Sequence, residues 1–228
     1  MANHLDLEEQ EQLDQLKHFW NQWGTLISCV LIVVCGSLAA WNGYQYWQGR
    51  QATKAAALFD AVEVANRAKD QTRVEQAFGD LKASYAGTPQ AAQAGFLLAR
   101  SLVEAAKPDE AREVLAWVAA NAGDDGFKAL AKLRLAAVLT EQKKYDEALA
   151  QLSGSLPAAF DGVAADHRGD ILMLQDKRTE ALAQYTKAYK AMSEDVEYRR
   201  LVEVKLNALG SNPAAETVAA AKTAEAAK

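Results

Sequence analysis

The chain has 228 residues, half of them hydrophobic, with a formal net charge of -5, 4 prolines and 13 glycines. That length holds one membrane anchor and one domain of ordinary size, with a core that needs neither disulfides nor metal. Abundant Ala, Leu, Glu, Lys and Gln predict an all-α fold, and acidic charge spread along the chain, with no basic stripe, excludes nucleic acid as the main partner.

Residues 1–23 read as a short acidic N-terminal tail, with Asp6, Glu8, Glu9, Glu11 and Asp14 against Lys17. From His18 to Gly49 there is no Asp, Glu, Lys or Arg, and residues 24–41 hold eight Leu, Ile and Val. As helix, that stretch is about 27 Å long, close to the ~30 Å of a bilayer's hydrocarbon. The predicted transmembrane helix covers residues 24–43. Phe19, Trp20 and Trp23 precede it and Trp41, Tyr44, Tyr46 and Trp47 follow it, the arrangement of aromatic rings seated at two headgroup interfaces of a lipid bilayer.

Ser37-Leu38-Ala39 is a small-x-small triplet of the kind cut by signal peptidase, but a secretory leader opens on a short basic region and this tail is acidic. The expectation is an uncleaved anchor. Cys29 and Cys35, six apart within the apolar stretch, point to different sides of a helix and cannot pair with each other. Charge leaves the orientation open. Arg50, Lys54, Arg67 and Lys69 follow the span and favour a cytoplasmic domain, yet long domains translocate largely regardless of charge and Lys17 flanks the other end.

Residues 44–210 carry an internal repeat. Small residues twelve apart recur at Ala65/Ala77, Ala99/Ala111, Ala136/Ala148 and Gly169/Ala181, and the second members are separated by 34, 37 and 33 residues. This is the tetratricopeptide period of about 34. Each pair marks a close crossing of two helices, where a larger side chain would open a void. Asp109-Glu110-Ala111, Asp146-Glu147-Ala148 and Thr179-Glu180-Ala181 each begin a second helix with an acidic first turn that suits the helix dipole. Pro89 and Pro108 stand at the expected turns, whereas most consensus aromatics are replaced and Tyr145 is the survivor. The predicted hairpins pair 50–70 with 72–86, 90–106 with 109–121, 126–142 with 145–153, and 158–175 with 178–191. A last helix over 195–209 caps the array, with Glu194, Asp195, Glu197, Arg199 and Arg200 supplying a polar outer face. Residues 211–228 form an Ala-rich low-complexity tail outside the packed array.

The sequence carries no enzyme signature. His4, His18 and His167 have no second His at metal-ligand spacing, there is no phosphate-binding glycine loop or nucleophile elbow, and Asp124-Asp125 reads as a helix cap. No catalytic, metal or cofactor site is expected. Aligning the repeats places Phe96 and Arg100, Leu130 and Leu133, and Val163, Asp166 and Asp170 along the first-helix face that lines a concave partner groove. The competing reading puts several of them in the core, and replacing Phe96 and Leu133 with Ser separates the two by whether helicity survives. The charged run Ala165-Asp166-His167-Arg168-Gly169-Asp170 either forms inter-repeat ion pairs with Arg134 or Arg100 or meets a partner.

Four segments together resemble the YfgM family of ancillary SecYEG translocon subunits: Glu11-x-Leu13-x-x-Leu16-Lys17-x-Phe19-Trp20, Trp41-x-x-Tyr44-x-Tyr46-Trp47, Leu133-Arg134-Leu135-Ala136 and Ala165-Asp166-His167-Arg168-Gly169-Asp170. The likeness runs nearly to Leu209 and leaves out the tail. It implies a bacterial inner-membrane protein with its N-terminus cytoplasmic and its repeat domain periplasmic, working beside the SecYEG translocon. The implied partners are the membrane-anchored periplasmic chaperone PpiD and translocating polypeptides, with no reaction catalysed. A repeat scaffold for another envelope assembly, or a cytoplasmic regulatory adaptor, would use the same fold.

Overall fold

The computed structural model describes the backbone of residues 7–212 and the side chains of residues 17–212. The Ala-rich tail from residue 213 on, and residues 1–6 of the acidic tail, lie outside the described residues. Among the described residues the structure is helix and turn only: α1 (Leu7–Arg67), α2 (Gln71–Ser84), α3 (Pro89–Glu104), α4 (Pro108–Asn121), α5 (Asp125–Glu141), α6 (Tyr145–Leu152), a 3-10 turn at Ala158–Phe160, α7 (Asp161–Leu174), α8 (Arg178–Ala191) and α9 (Tyr198–Ala208). The chain divides into two units, one through Gln51 and one from Ala52 on. The expected hairpin register is reproduced. The expected first helix over 50–70 is the C-terminal part of α1, because Ala-rich sequence with no Gly or Pro follows Arg50 and nothing stops the helix.

Helix starts are capped by short polar side chains at three points. The Asp70, Thr88 and Asp124 side chains accept from the backbone N–H of Arg73, Ala91 and Phe127. Pro89 and Pro108 sit in first turns, where a missing N–H costs nothing. Within each hairpin the turn uses one residue in the left-handed region: Lys69, Ala106, Lys143 and Asp176, with φ of 56–60°. The following N–H closes back on the first helix, as in Lys107 to Leu102 O at 2.8 Å and Lys177 to Leu172 O at 2.9 Å. No glycine marks these turns, so the left-handed positions were not visible in the sequence.

Seven of the eight small repeat positions are buried; Ala77 is half-buried. Ala111, Ala136, Ala148 and Ala181 have no exposed surface, and Ala65 and Ala99 have almost none. Gly169 shows why size matters here: a Cβ on it would lie 2.4 Å from the Tyr185 ring. Gly95 is equally tight, its Cβ position falling 2.4 Å from Val118. One apolar cluster runs from Ala55 through Ile171, and a second joins Ala165 and Leu172 of α7, Ala181, Tyr185 and Ala188 of α8, and Val202 and Leu206 of α9.

The end cap departs from expectation. Val202 and Leu206 face inward on α9, but its outer face carries Leu201 at 48% and Val204 at 63% exposure beside Arg200. Of the charged residues expected to cover that end, Glu194, Asp195 and Glu197 lie before α9, and Arg199 in its first turn reaches back to pair with Glu194.

Candidate functional site

The first unit presents an apolar helix with its side chains outward. Leu26, Val30, Leu31, Ile32, Val33, Val34 and Leu38 are all exposed, the opposite of a core helix, and this is the one helix among the described residues long and apolar enough to cross a membrane. Two of its polar side chains bond within the helix: Ser37 donates to Val33 O at 2.7 Å and Asn42 to Leu38 O at 3.0 Å. Such internal bonding lowers the cost of placing a hydroxyl or amide in hydrocarbon. Trp20, Trp23, Trp41, Tyr44 and Trp47 are exposed, with Tyr44 and Trp47 stacked at 6.3 Å and the Arg50 guanidinium 4.9 Å from the Tyr46 ring centroid. Trp20 lies against Gly24, where a Cβ would crowd its indole.

In the second unit the residues assigned to a groove separate into three kinds. Phe96 and Leu133 are core residues, 7% and 6% exposed. Phe96 packs 6.2 Å from Phe127, centroid to centroid, and the Arg134 guanidinium covers its ring at 4.5 Å. Replacing either with Ser therefore removes core packing, and helicity is not expected to survive as the groove reading required. Leu130 and Val163 are half-buried against the same core. Arg100 is exposed and paired with Glu104 at 2.8 Å on its own helix.

Asp166 and Asp170 belong to a clasp. Asp166 is fully buried, with 0% of its surface exposed. Lys205 on α9 places its Nζ 2.8 Å from Asp166 Oδ1 and 2.7 Å from Asp170 Oδ1, donating to both carboxylates. Tyr198 donates to Asp166 at 2.6 Å, and Tyr185 donates to Asp170 at 2.7 Å. Burial first, and then the carboxylate each one bonds, push both tyrosine hydroxyls well above the ordinary phenol range, so both remain donors. The ion pairs expected with Arg134 or Arg100 are not formed. The partner is a lysine on the capping helix, 35 and 39 residues along the chain. Arg168 turns the other way, to Leu152 O and the Gln184 side chain.

Lys205, Tyr198 and Tyr185 are the residues that sequence reading missed. The available signal was a lysine one turn from Val202 on the inward face of the last helix, where a solvated residue was out of place. Among the described residues no group of three or more His, Cys, Asp or Glu is placed to hold a metal. Asp124 caps α5, as its position suggested.

An array of helical hairpins closed by small-residue crossings defines a tetratricopeptide-like repeat protein. The family model of the tetratricopeptide repeat-like domain matches residues 17–211. An ancillary SecYEG translocon subunit of Neisseria gonorrhoeae is 36% identical over 92% of this chain and the whole of that protein. Proteins of the same name from Aggregatibacter actinomycetemcomitans and Escherichia coli are 25% and 26% identical, over 89% and 80% of this chain and 98% and 88% of theirs. The chain belongs to this family of ancillary SecYEG translocon subunits with a tetratricopeptide repeat-like domain. That is not an enzyme family.

Proposed function

We propose that the chain is a non-enzymatic subunit associated with the SecYEG translocon, anchored in a bacterial inner membrane by a span over residues 24–43. The observation that carries this reading is the end-to-end likeness to the Neisseria gonorrhoeae ancillary SecYEG translocon subunit, which covers anchor and repeats together. In this reading the N-terminus is cytoplasmic and the repeat domain, residues 44–210, is periplasmic. The domain links the channel to a PpiD-like membrane-anchored chaperone and to translocating polypeptides.

Purification of the full chain through a C-terminal tag in mild detergent, followed by mass spectrometry, tests it. Recovery of SecYEG with a PpiD-like chaperone is the expected result, and loss of SecYEG when the native span is exchanged for an unrelated one assigns the channel contact to the anchor. Recovery of neither, with a different envelope complex in their place, overturns the reading in favour of a scaffold. The basic residues Arg50, Lys54, Arg67 and Lys69 after the span favour the competing cytoplasmic adaptor. A domain that added protease fails to reach in spheroplasts would establish that alternative.

A further inference from the structure

Each later hairpin receives a helix from the hairpin before it, and comparison of the first two shows what the first one lacks. The repeat shift of 34 that carries Ala65 onto Ala99 also carries Ala61 onto Gly95, Val64 onto Leu98, Ala68 onto Leu102 and Asp80 onto Val114. In the second hairpin, Leu98 and Leu102 are buried in a cleft of about 220 Å³ that α2 closes with Glu75, Phe78 and Lys82. Phe78 meets the Trp117 ring edge-on at 5.3 Å, and the Lys82 ammonium stands 5.6 Å from the same ring.

In the first hairpin the equivalent place is an open groove of about 580 Å³, and no helix among the described residues closes it. Its floor is Ala61, Val64, Ala65 and Ala77, and Val64 is 63% exposed. The C-terminal part of α1 thus carries two adjoining apolar stripes: Ala55, Val62 and Ala65 are buried, while Ala57, Ala61, Val64 and Ala68 face out at spacings of four, three and four. The outward stripe occupies the repeat position that α2 covers in the second hairpin.

We propose that this groove binds an amphipathic helix of another protein, seated as α2 is seated on the second hairpin. The chemistry of that helix follows from the two clefts. A floor of alanines and one valine leaves room for bulky side chains, as Gly95 leaves room for Phe78 and Val118. The walls carry Asp60 and Asp80, neither in an ion pair among the described residues, whereas the one cation there, Arg73, is held by Asp70 at 3.1 Å. The occupant therefore presents large apolar residues at i, i+4 and i+7, like Val74, Phe78 and Leu81, flanked by Lys or Arg that reach the two carboxylates. Binding of such a helix does not depend on which complex the chain joins, and its test makes no reference to SecYEG.

The experiment is site-specific photocrosslinking of the full chain in its native membrane, with the photoreactive residue at Ala61 or Val64 and a control at Glu113 on α4. The expected result is one heterologous adduct from the groove positions, its crosslinked peptide mapping to a helix with basic residues beside a bulky apolar stripe. Charge reversal by Asp60→Lys with Asp80→Lys should reduce that adduct at least tenfold while thermal unfolding of the domain is unchanged. An adduct between two copies of the chain, an adduct with a peptide lacking basic residues, or no adduct above the control would each overturn the proposal. So would a charge-reversed variant that crosslinks as well as the original. Val64→Arg, which alters the floor instead of the walls, gives the same reading if the double variant fails to fold.

Discussion

The two ends of the repeat array are finished in different ways. At the C-terminal end, α9 is held down by a buried charge cluster, with Lys205 between Asp166 and Asp170 and the Tyr198 and Tyr185 hydroxyls on the same carboxylates. At the N-terminal end, the equivalent apolar surface of the first hairpin is left open around Val64. A repeat array buries each hairpin only against its neighbours, so both ends need a cover. One cover is built into the chain and fixed by directional polar bonds. The other face stays apolar, small and acid-rimmed, as a surface that receives a helix from outside would be.

The same substitution at a covered and an uncovered copy of one repeat position should have very different effects. Leu98→Arg puts a charge into a closed cleft and should cost about 4 kcal/mol or more, unfolding the domain in a urea titration. If Leu98→Arg is tolerated, the second cleft is not closed by α2 as described. Next in size, Asp166→Ala strands Lys205 and the Tyr198 hydroxyl. Removing one partner of a buried pair costs about 3–5 kcal/mol, and the low end applies here because Asp170 still faces the lysine. Hydrogen exchange should then show α9 opening ahead of the rest of the array.

Gly169→Val drives a side chain into the Tyr185 ring and should cost about 1–3 kcal/mol by overpacking, read as a lower midpoint of thermal unfolding. An undisturbed midpoint would mean that α7 and α8 can separate freely at this crossing. Alkaline pH tests the clasp more gently. Tyr185 and Tyr198 hold their protons more tightly folded than unfolded, with pKa values raised above the ordinary 10.0. The stability they add is complete below that ordinary value and is lost as pH rises through the higher folded values. Phenolate absorbance should therefore show two of the chain's 7 tyrosines resisting titration until α9 detaches, and Tyr185→Phe should leave one. The smallest expected effect is at the open end. Val64→Arg should change the stability of the isolated protein by no more than about 0.5 kcal/mol, because the side chain already faces solvent. A large loss there would show that the groove is closed within the chain itself.

The legible features share a local origin. The apolar stretch, its aromatic flanks, the hairpin boundaries and the small positions are all encoded within one or two helices, by 3.6-residue periodicity, caps and turns. The candidate surface was read less well because a tetratricopeptide first helix is lined on more than one side. Phe96 and Leu133 fit a groove face by spacing, yet the neighbouring helices bury them. Conversely, Val64 and Ala61 passed as ordinary helix residues, because their exposure depends on whether another helix packs over them, and none among the described residues does. The left-handed turn residues Lys69, Ala106, Lys143 and Asp176 escaped because the sequence supplies no glycine there, and the conformation is held instead by the next N–H closing back on the preceding helix.

By itself, then, the sequence of this protein determined the helices, their pairing and the apolar segment that precedes them, since each depends on contacts between residues close along the chain. Only the tertiary structure decided that Asp166 and Asp170 meet a lysine 39 and 35 residues away, and which apolar faces end up covered. Those outcomes turn on long-range packing at the two ends of a repeat array, where the repeating pattern stops and no local period says what comes next.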